Sequence, residues 1–322
     1  MPMTQPLTFA CGHYDRTQAL IDGTVKPEGV ELNWITIPHD EMWARMLYHY
    51  EFDASELSFS SYIIAKTAKI PLIAIPIFPA RAFRHSYIFV NARSGIKEPK
   101  DLEGKRVALK EFQKTAAVWL RGILAQDYGV AVDKIHWREW ARKSSMNVEI
   151  PARYDVQKLP DGTHPDRLLI DGEVDAMICT SLFPSFVKRH PNIRRLFENY
   201  KEVEVGFFKR TGIFPIMHTV VMREELWKAS PWIAPSLFKA FQQAKEVAYR
   251  RVNDTSPYKL SMAWFREPMR EQAEILGDDP WSNGLAANRK TVETLIEYVY
   301  QQGFTGRKIG VEELFAPNTL NL

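Results

Sequence analysis

Only two cysteines, Cys11 and Cys179, occur among 322 residues. That excludes a disulfide framework, a CxxC redox pair and a zinc-finger spacing, so the fold has to rest on packing. No apolar stretch approaches the ~20 residues that a bilayer-crossing helix needs, and no membrane role is expected. Met1-Pro2-Met3-Thr4-Gln5-Pro6 lacks a basic segment followed by an apolar run, so no secretory leader is read there and a cytoplasmic protein is expected. Phosphate loops are missing as well: no GxGxxG follows a strand pattern and no GxxxxGK[ST] occurs, which leaves nucleotide chemistry without support. Eight histidines form no HExxH pair or other metal-binding helix spacing; no cofactor is predicted, and a divalent metal is left open. Charge of one sign is scarce too. Forty-two Lys and Arg against 39 Asp and Glu leave +3, too small and too dispersed for a nucleic-acid surface.

What is present is an ordinary core-forming composition, 45% hydrophobic and 12% aromatic, at a length that suits two domains. Strand and helix patterns alternate. Leu7 to Gly12 reads as a buried strand, followed by a short helix from about Asp15 to Ile21. Val30 to Ile37 is a strand, and His39 to Tyr48 carries Met42, Trp43, Met46 and Leu47 at helical spacing. Ala54 to Phe59, a helix over Tyr62 to Ala68 and an apolar strand Pro71 to Phe78 continue the alternation. After the strand Ser86 to Asn91, a new series begins at Arg106 to Leu109, with a helix Thr115 to Gln126, a strand near His136 to Trp140, a helix Pro165 to Asp171 and a strand Val174 to Cys179. Ile213 to Met222 is a long β-rich run. Beyond it Leu237, Phe238, Phe241, Ala244 and Ala248 make a helical apolar stripe, and a last helix runs from Val292 to Gln302. Arg153 to Thr163, with Pro160 and Gly162, reads as a loop. The expected class is α/β, with mixed, mostly parallel sheets flanked by helices.

Open α/β sheets bind ligands beyond the carboxyl ends of their strands, and several polar groups fall there. His13, Tyr14, Asp15 and Arg16 follow the first strand, either as a proton carrier with an anion clamp or as a helix cap facing water. Ser58, Ser60 and Ser61 surround the end of the third strand, where a helix amino terminus suits a carboxylate and plain capping competes. Arg81 and Arg84, with His85, offer guanidinium forks to a dianion unless they are merely exposed. Lys114 and Thr115 stand at a helix start, and Cys179, Thr180 and Ser181 follow another strand; Cys179 and Cys11 also fit as small buried hydrophobes. His218 interrupts the apolar run Ile216-Met217-His218-Thr219-Val220, as a core histidine or as a functional one. Trp137 and Trp140, near Arg138, Glu139 and Arg142, read more readily as scaffold than as a cleft wall.

Gly12-His13-Tyr14-Asp15-Arg16-Thr17, Asp22-Gly23, Pro27-Glu28-Gly29-Val30 and Asp101-Leu102-Glu103-Gly104-Lys105-Arg106-Val107, taken together, resemble the 4,5-dihydroxyphthalate decarboxylase family. So do Leu169-Ile170-Asp171-Gly172-Glu173-Val174-Asp175-Ala176, Gly212-Ile213-Phe214-Pro215-Ile216-Met217-His218 and the tail Glu312-Glu313-Leu314-Phe315-Ala316-Pro317. The likeness covers nearly the whole chain. The Asp-Leu-x-Gly-Lys turn and the Gly-x-x-Asp-Ala strand are common to substrate-binding lobes, whereas the opening motif and the His218 segment are more particular. The resemblance implies a two-lobed type II periplasmic-binding-protein-like fold with the ligand between the lobes and crossover strands near Ile88–Arg93 and Ile213–Val220. Lobe 1 would take residues 1–92 and 218–322, and lobe 2 residues 93–217.

The resemblance also implies non-oxidative decarboxylation of 4,5-dihydroxyphthalate to protocatechuate and CO2. Each carboxylate of that molecule is para to a ring hydroxyl, which can push electrons to the carbon being protonated, so the substrate supplies its own electron sink. On this reading Arg16, Arg81 and Arg84 anchor the retained carboxylate, His218 or His13 donates the proton, and Asp15 or His85 assists the hydroxyl. The competing expectation is a non-catalytic solute-binding protein for a small aromatic carboxylate. A cytoplasmic ligand sensor is a third, without any attached output module. Self-association into a homo-oligomer is left open.

Overall fold

A computed structural model of the chain describes residues 4–141, 145–160, 162–256 and 260–322. Among them the strands are β1 (Gln5–Ala10), β2 (Val30–Ile35), β3 (Ala54–Ser58), β4 (Leu72–Ile75), β5 (Ile88–Asn91) and β6 (Arg106–Leu109). Further along come β7 (His136–Glu139), β8 (Asp155–Lys158), β9 (Ala176–Ile178), β10 (Ile193–Arg195) and β11 (His218–Arg223). The chain forms two compact units. One comprises Met1–Arg81, Ile216–Glu293 and Ile309–Leu322; the other comprises Ala82–Pro215 and Thr294–Lys308. No helix among the described residues is long and apolar enough to cross a membrane.

The first unit holds a sheet in the order β2-β1-β3-β11-β4. β1 runs parallel to β2 and β3, and β11 runs antiparallel to β3 and β4. β3, Ala-Ser-Glu-Leu-Ser, has weak strand propensity, yet all five of its residues are buried because it lies mid-sheet, where tertiary pairing overrides local preference. The helix Ile233–Val252 covers this sheet. Its predicted stripe is the buried one: Leu237, Phe238, Phe241 and Ala244 join Phe9, Val220 and Met222 in one core, and Pro235 is accommodated in the first turn.

The second unit holds the order β10-β5-β9-β6-β7-β8. β5 is antiparallel to both of its neighbours, and the other pairs are parallel. Residues 294–308 belong here: Gln302 bonds to the buried Arg121 and to the Val118 carbonyl, and Phe304 packs 5.9 Å from Phe112. Gly122 lets the Tyr298 ring approach, since a Cβ there would fall 2.2 Å from it.

Several expectations are corrected. The stretch read as a loop over 153–163 contains β8, an edge strand paired in register with β7, His136 opposite Asp155. Its residues are half-buried or exposed, so no apolar alternation marked it. The run Ile213–Met222 is extended as a regular strand only from His218, with Ile216 making an isolated bridge to Arg81. The helices Tyr200–Thr211 and Arg266–Leu276 were not anticipated, and the last helix starts at Leu285. Arg142 lies outside the described residues. Trp137 is fully buried and donates to the Val132 carbonyl at 3.0 Å, as a scaffold residue does.

Candidate active site

Pairing between β3 and β11 sets Ser58 opposite His218 and Val220 opposite Glu56. Glu56 and His218 are therefore diagonal neighbours on one sheet face, a separation that long side chains bridge. On the other edge of β3, Ala10 of β1 stands opposite Ser55, so the chain leaving β1 brings Cys11 and Gly12 alongside Glu56. Tyr14 follows in the same loop, and His39 opens the helix His39–His49 that comes after β2.

Five groups converge on one carboxylate. Glu56 Oε1 accepts from the Tyr14 hydroxyl at 2.6 Å and meets His218 Nδ1. Oε2 accepts from the Gly12 amide at 2.8 Å and the Cys11 thiol at 3.3 Å, and His39 Nε2 stands 3.4 Å away. Tyr14 Oη also lies 3.1 Å from His39 Nε2. The two imidazole centroids are 5.1 Å apart, and Trp43 lies edge-on to His218 at 5.0 Å. Gly12 has to be glycine for this arrangement, since a Cβ would sit 2.9 Å from the Tyr14 ring and hydroxyl.

The charges follow from that geometry. Glu56 has no exposed surface. Burial alone would raise its carboxyl, but the His218 and His39 imidazoles outweigh it and hold Glu56 well below the usual carboxylate range. Burial, with the Glu56 charge added, pushes the Tyr14 hydroxyl and the Cys11 thiol far up, so both remain protonated donors. Cys11 is thus no thiolate nucleophile. The two imidazole side chains facing Glu56 are 38% exposed at His39 and 16% at His218.

His39, Glu56 and His218 each offer one ligand atom within 4.8 Å of the others, close enough for one metal ion. Of about four lone-pair positions on the carboxylate, three already accept from the Cys11 thiol, the Gly12 amide and the Tyr14 hydroxyl, and His218 Nδ1 meets Oε1 as well. A metal would have to displace those hydrogen bonds, so the cluster fits a proton-handling centre better than a ligand set.

Arg16 lies beside this cluster, near enough to feel the Glu56 charge. Its guanidinium stacks 3.6 Å over the Trp281 ring, lies 5.6 Å from the Tyr14 ring centroid, donates to the Pro79 carbonyl and pairs with the exposed Asp15 at 2.7 Å. Trp281 is fixed in turn: its amide donates to Tyr249 Oη, and Asp279 binds both Tyr249 and Lys245. Burial lowers the Arg16 pKa, a sign that its charge is partly desolvated.

Other predicted residues are placed differently. His13 is exposed, with Nε2 2.5 Å from Gln18, and does not reach Glu56 in the described contacts. Arg81 is buried and donates to the Ser282 carbonyl and to Asn288, which ties it to the 282–288 segment. Ser58, Ser60 and Ser61 are buried at the start of the helix Phe59–Thr67, but Ser58 makes no side-chain cap.

Within the second unit, Lys114 forms a buried pair with Glu111 at 2.7 Å, beside the buried Thr115. Arg84 is buried over the Tyr87 ring, and burial lowers its pKa to about 10. His85 lies among Tyr128, Phe197 and Phe207, with neither ring nitrogen hydrogen-bonded. Burial pushes the Cys179 thiol up, and Thr180 and Ser181 are exposed. Glu56 and His39 were missed by the sequence reading. A lone glutamate within the run Ala54 to Phe59, and a histidine directly after Pro38 at a helix start, were the available signals.

This geometry places the chain in a recognisable class. Two solved structures share the fold: a putative sulfonate ABC transporter periplasmic sulfonate-binding protein SsuA from Methylobacillus flagellatus KT, with TM-score 0.62 and 16% identity over 99% of this chain and 94% of that one; and the periplasmic aliphatic sulphonate binding protein SsuA from Escherichia coli, with TM-score 0.55 and 13% identity over 98% and 99%. The fold is that of the type II periplasmic binding proteins. No protein-family model matches the chain. Among curated proteins, the 4,5-dihydroxyphthalate decarboxylase of Comamonas testosteroni is 36% identical over 320 residues, 98% of this chain and 97% of the relative. That of Pseudomonas putida is 34% identical over 199 residues, 60% of this chain and 77% of the relative. The chain belongs to the 4,5-dihydroxyphthalate decarboxylase family.

Proposed function

We propose that this chain converts 4,5-dihydroxyphthalate to protocatechuate and CO2 at the Glu56-centred pocket. The observation that carries the reading, beside family membership, is the buried Glu56 carboxylate holding His218 Nδ1. With Nδ1 engaged, proton transfer to substrate falls to Nε2, and the ionised Glu56 keeps the imidazole oriented and stabilises its charged form. His218 then protonates the ring carbon that bears the departing carboxylate, the para hydroxyl loses its proton, and a dienone forms. Cleavage of the carbon–carbon bond returns the electron pair to the ring, releases CO2 and restores aromaticity.

Arg16 is the anchor for the retained carboxylate. A guanidinium and a carboxylate ~4 Å apart attract by about 4 kcal/mol at an effective dielectric of ~20, before desolvation is subtracted. Stacking on Trp281 fixes the fork in advance. Arg81, held by Ser282 and Asn288, supports that wall. The ligand is a small aromatic carboxylate, and the site of action is the cytoplasm.

Incubation with 4,5-dihydroxyphthalate, followed by CO2 release and chromatography of protocatechuate, tests the reading directly. His218→Gln should lower turnover by about a hundredfold or more while protocatechuate still binds. Tight binding of the dihydroxyphthalate with no CO2 from the unaltered chain would establish the solute-binding alternative instead.

A further inference from the structure

Glu56 lies between two imidazoles. His218 Nδ1 meets Oε1, His39 Nε2 faces Oε2 at 3.4 Å, and the ring centroids are 5.1 Å apart. One buried carboxylate offsets one positive charge. A second imidazolium at ring-contact distance would repel the first, with Arg16 adding a further cation nearby, so the pocket favours one protonated imidazole at a time. Protonation of the ring carbon takes the proton from His218 in the same step that strips the para hydroxyl. If the hydroxyl proton lands on the other imidazole, the pocket begins and ends that step with the same net charge, and no charge is created in a poorly solvated place.

We infer that His39 is a second catalytic residue, accepting at Nδ1 the proton of the hydroxyl para to the departing carboxylate while His218 Nε2 delivers its own proton to the ring. This rests on the decarboxylation proposed above. The C–H bond forms with the His218 proton; the O–H bond breaks to His39, and the oxygen becomes the dienone carbonyl. The C–CO2 bond then breaks, its electron pair flows back through the ring to that oxygen, and CO2 leaves. His39 returns its proton to the oxygen, and His218 regains one from water, the single proton that the net reaction consumes. Glu56 stays ionised and Tyr14 stays protonated throughout. The substrate class narrows accordingly to aromatic acids with a free hydroxyl para to the carboxylate that is lost.

The test compares 4,5-dihydroxyphthalate with an analogue fluorinated beside that hydroxyl, which makes the hydroxyl more acidic and less dependent on a base. His39→Gln should lower kcat/KM on the parent about a hundredfold, and roughly tenfold of that should return on the fluorinated analogue. His218→Gln should show no such return. His39→Ala, at a position whose side chain is 38% exposed, should regain turnover when imidazole is added to the buffer. Equal slowing of both substrates by His39→Gln, or no gain from imidazole in a His39→Ala protein that still binds protocatechuate, would overturn the assignment. Absence of CO2 release by the unaltered chain on either substrate defeats the decarboxylation, and this inference with it.

Discussion

His85 supplies a prediction that does not depend on the reaction. Its ring is 1% exposed among Tyr128, Phe197 and Phe207, and burial pushes its pKa from 6.5 down to about 4. In the unfolded chain the imidazole titrates near ~6.5. Between those values the unfolded state binds a proton that the folded state refuses, so the stability present above about pH 6.5 is lost as the pH falls, and the loss levels off below about pH 4. The gap corresponds to roughly 3 kcal/mol in full, of which about 2 kcal/mol is lost between about pH 7.5 and about pH 5. His85→Phe keeps a flat ring in the aromatic box and removes the titration. Urea denaturation of both proteins at the two pH values isolates the contribution as the difference of differences, because every other titrating group is common to them. The variant should lose about 2 kcal/mol less on acidification. Parallel losses in the two proteins would refute the placement of a neutral imidazole there.

Glu56→Gln should lower turnover together with His218→Gln, and should destabilise the fold by about 3 kcal/mol at neutral pH, measured by chemical denaturation, because it removes the charge on which two imidazoles converge. The depressed Glu56 carboxyl makes this contribution present above the unfolded value of ~4.3 and lost as the pH falls through the lower folded value. Arg16→Met should raise KM for 4,5-dihydroxyphthalate by about tenfold or more in steady-state assays, and Trp281→Ala should shift KM in the same direction by releasing the guanidinium. Prolonged dialysis against a chelator should leave kcat unchanged, since hydrogen bonds already engage the Glu56 carboxylate; a loss restored by a divalent ion would show that the cluster holds metal.

Much of the architecture was legible because apolar periodicity reports burial. The Leu237–Ala248 stripe and the strands β1, β2 and β6 could be read for that reason; the same pattern singled out His218 but left it open as a core or a functional histidine. β8 was hidden because an edge strand with half-exposed polar residues carries no such pattern. Glu56 was hidden for the opposite reason. Its neighbours Ser55, Leu57 and Ser58 do not announce a buried strand, and only pairing with β1 and β11 removes the carboxylate from water. His39 became visible only when the helix after β2 brought it to the carboxylate, a contact separated by 17 positions that no local pattern encodes. The arginines illustrate a further limit. Sequence placed three guanidiniums near strand ends, but not their partners, which include Trp281 for Arg16, Ser282 and Asn288 for Arg81, and Tyr87 for Arg84.

A pocket built only to retain an acid would aim its donors at the ligand. Here the Gly12 amide, the Tyr14 hydroxyl and the Cys11 thiol are aimed at the protein's own carboxylate. Those bonds add nothing to ligand affinity by themselves. They satisfy lone pairs of a wholly buried carboxylate, while the His218 and His39 imidazoles hold Glu56 well below the usual carboxylate range. Tyr14 and Cys11, locked in their protonated forms, remain donors to that carboxylate. A carboxylate held ionised beside two imidazoles is what the proposed proton transfer from His218 requires, and ligand retention alone does not require it.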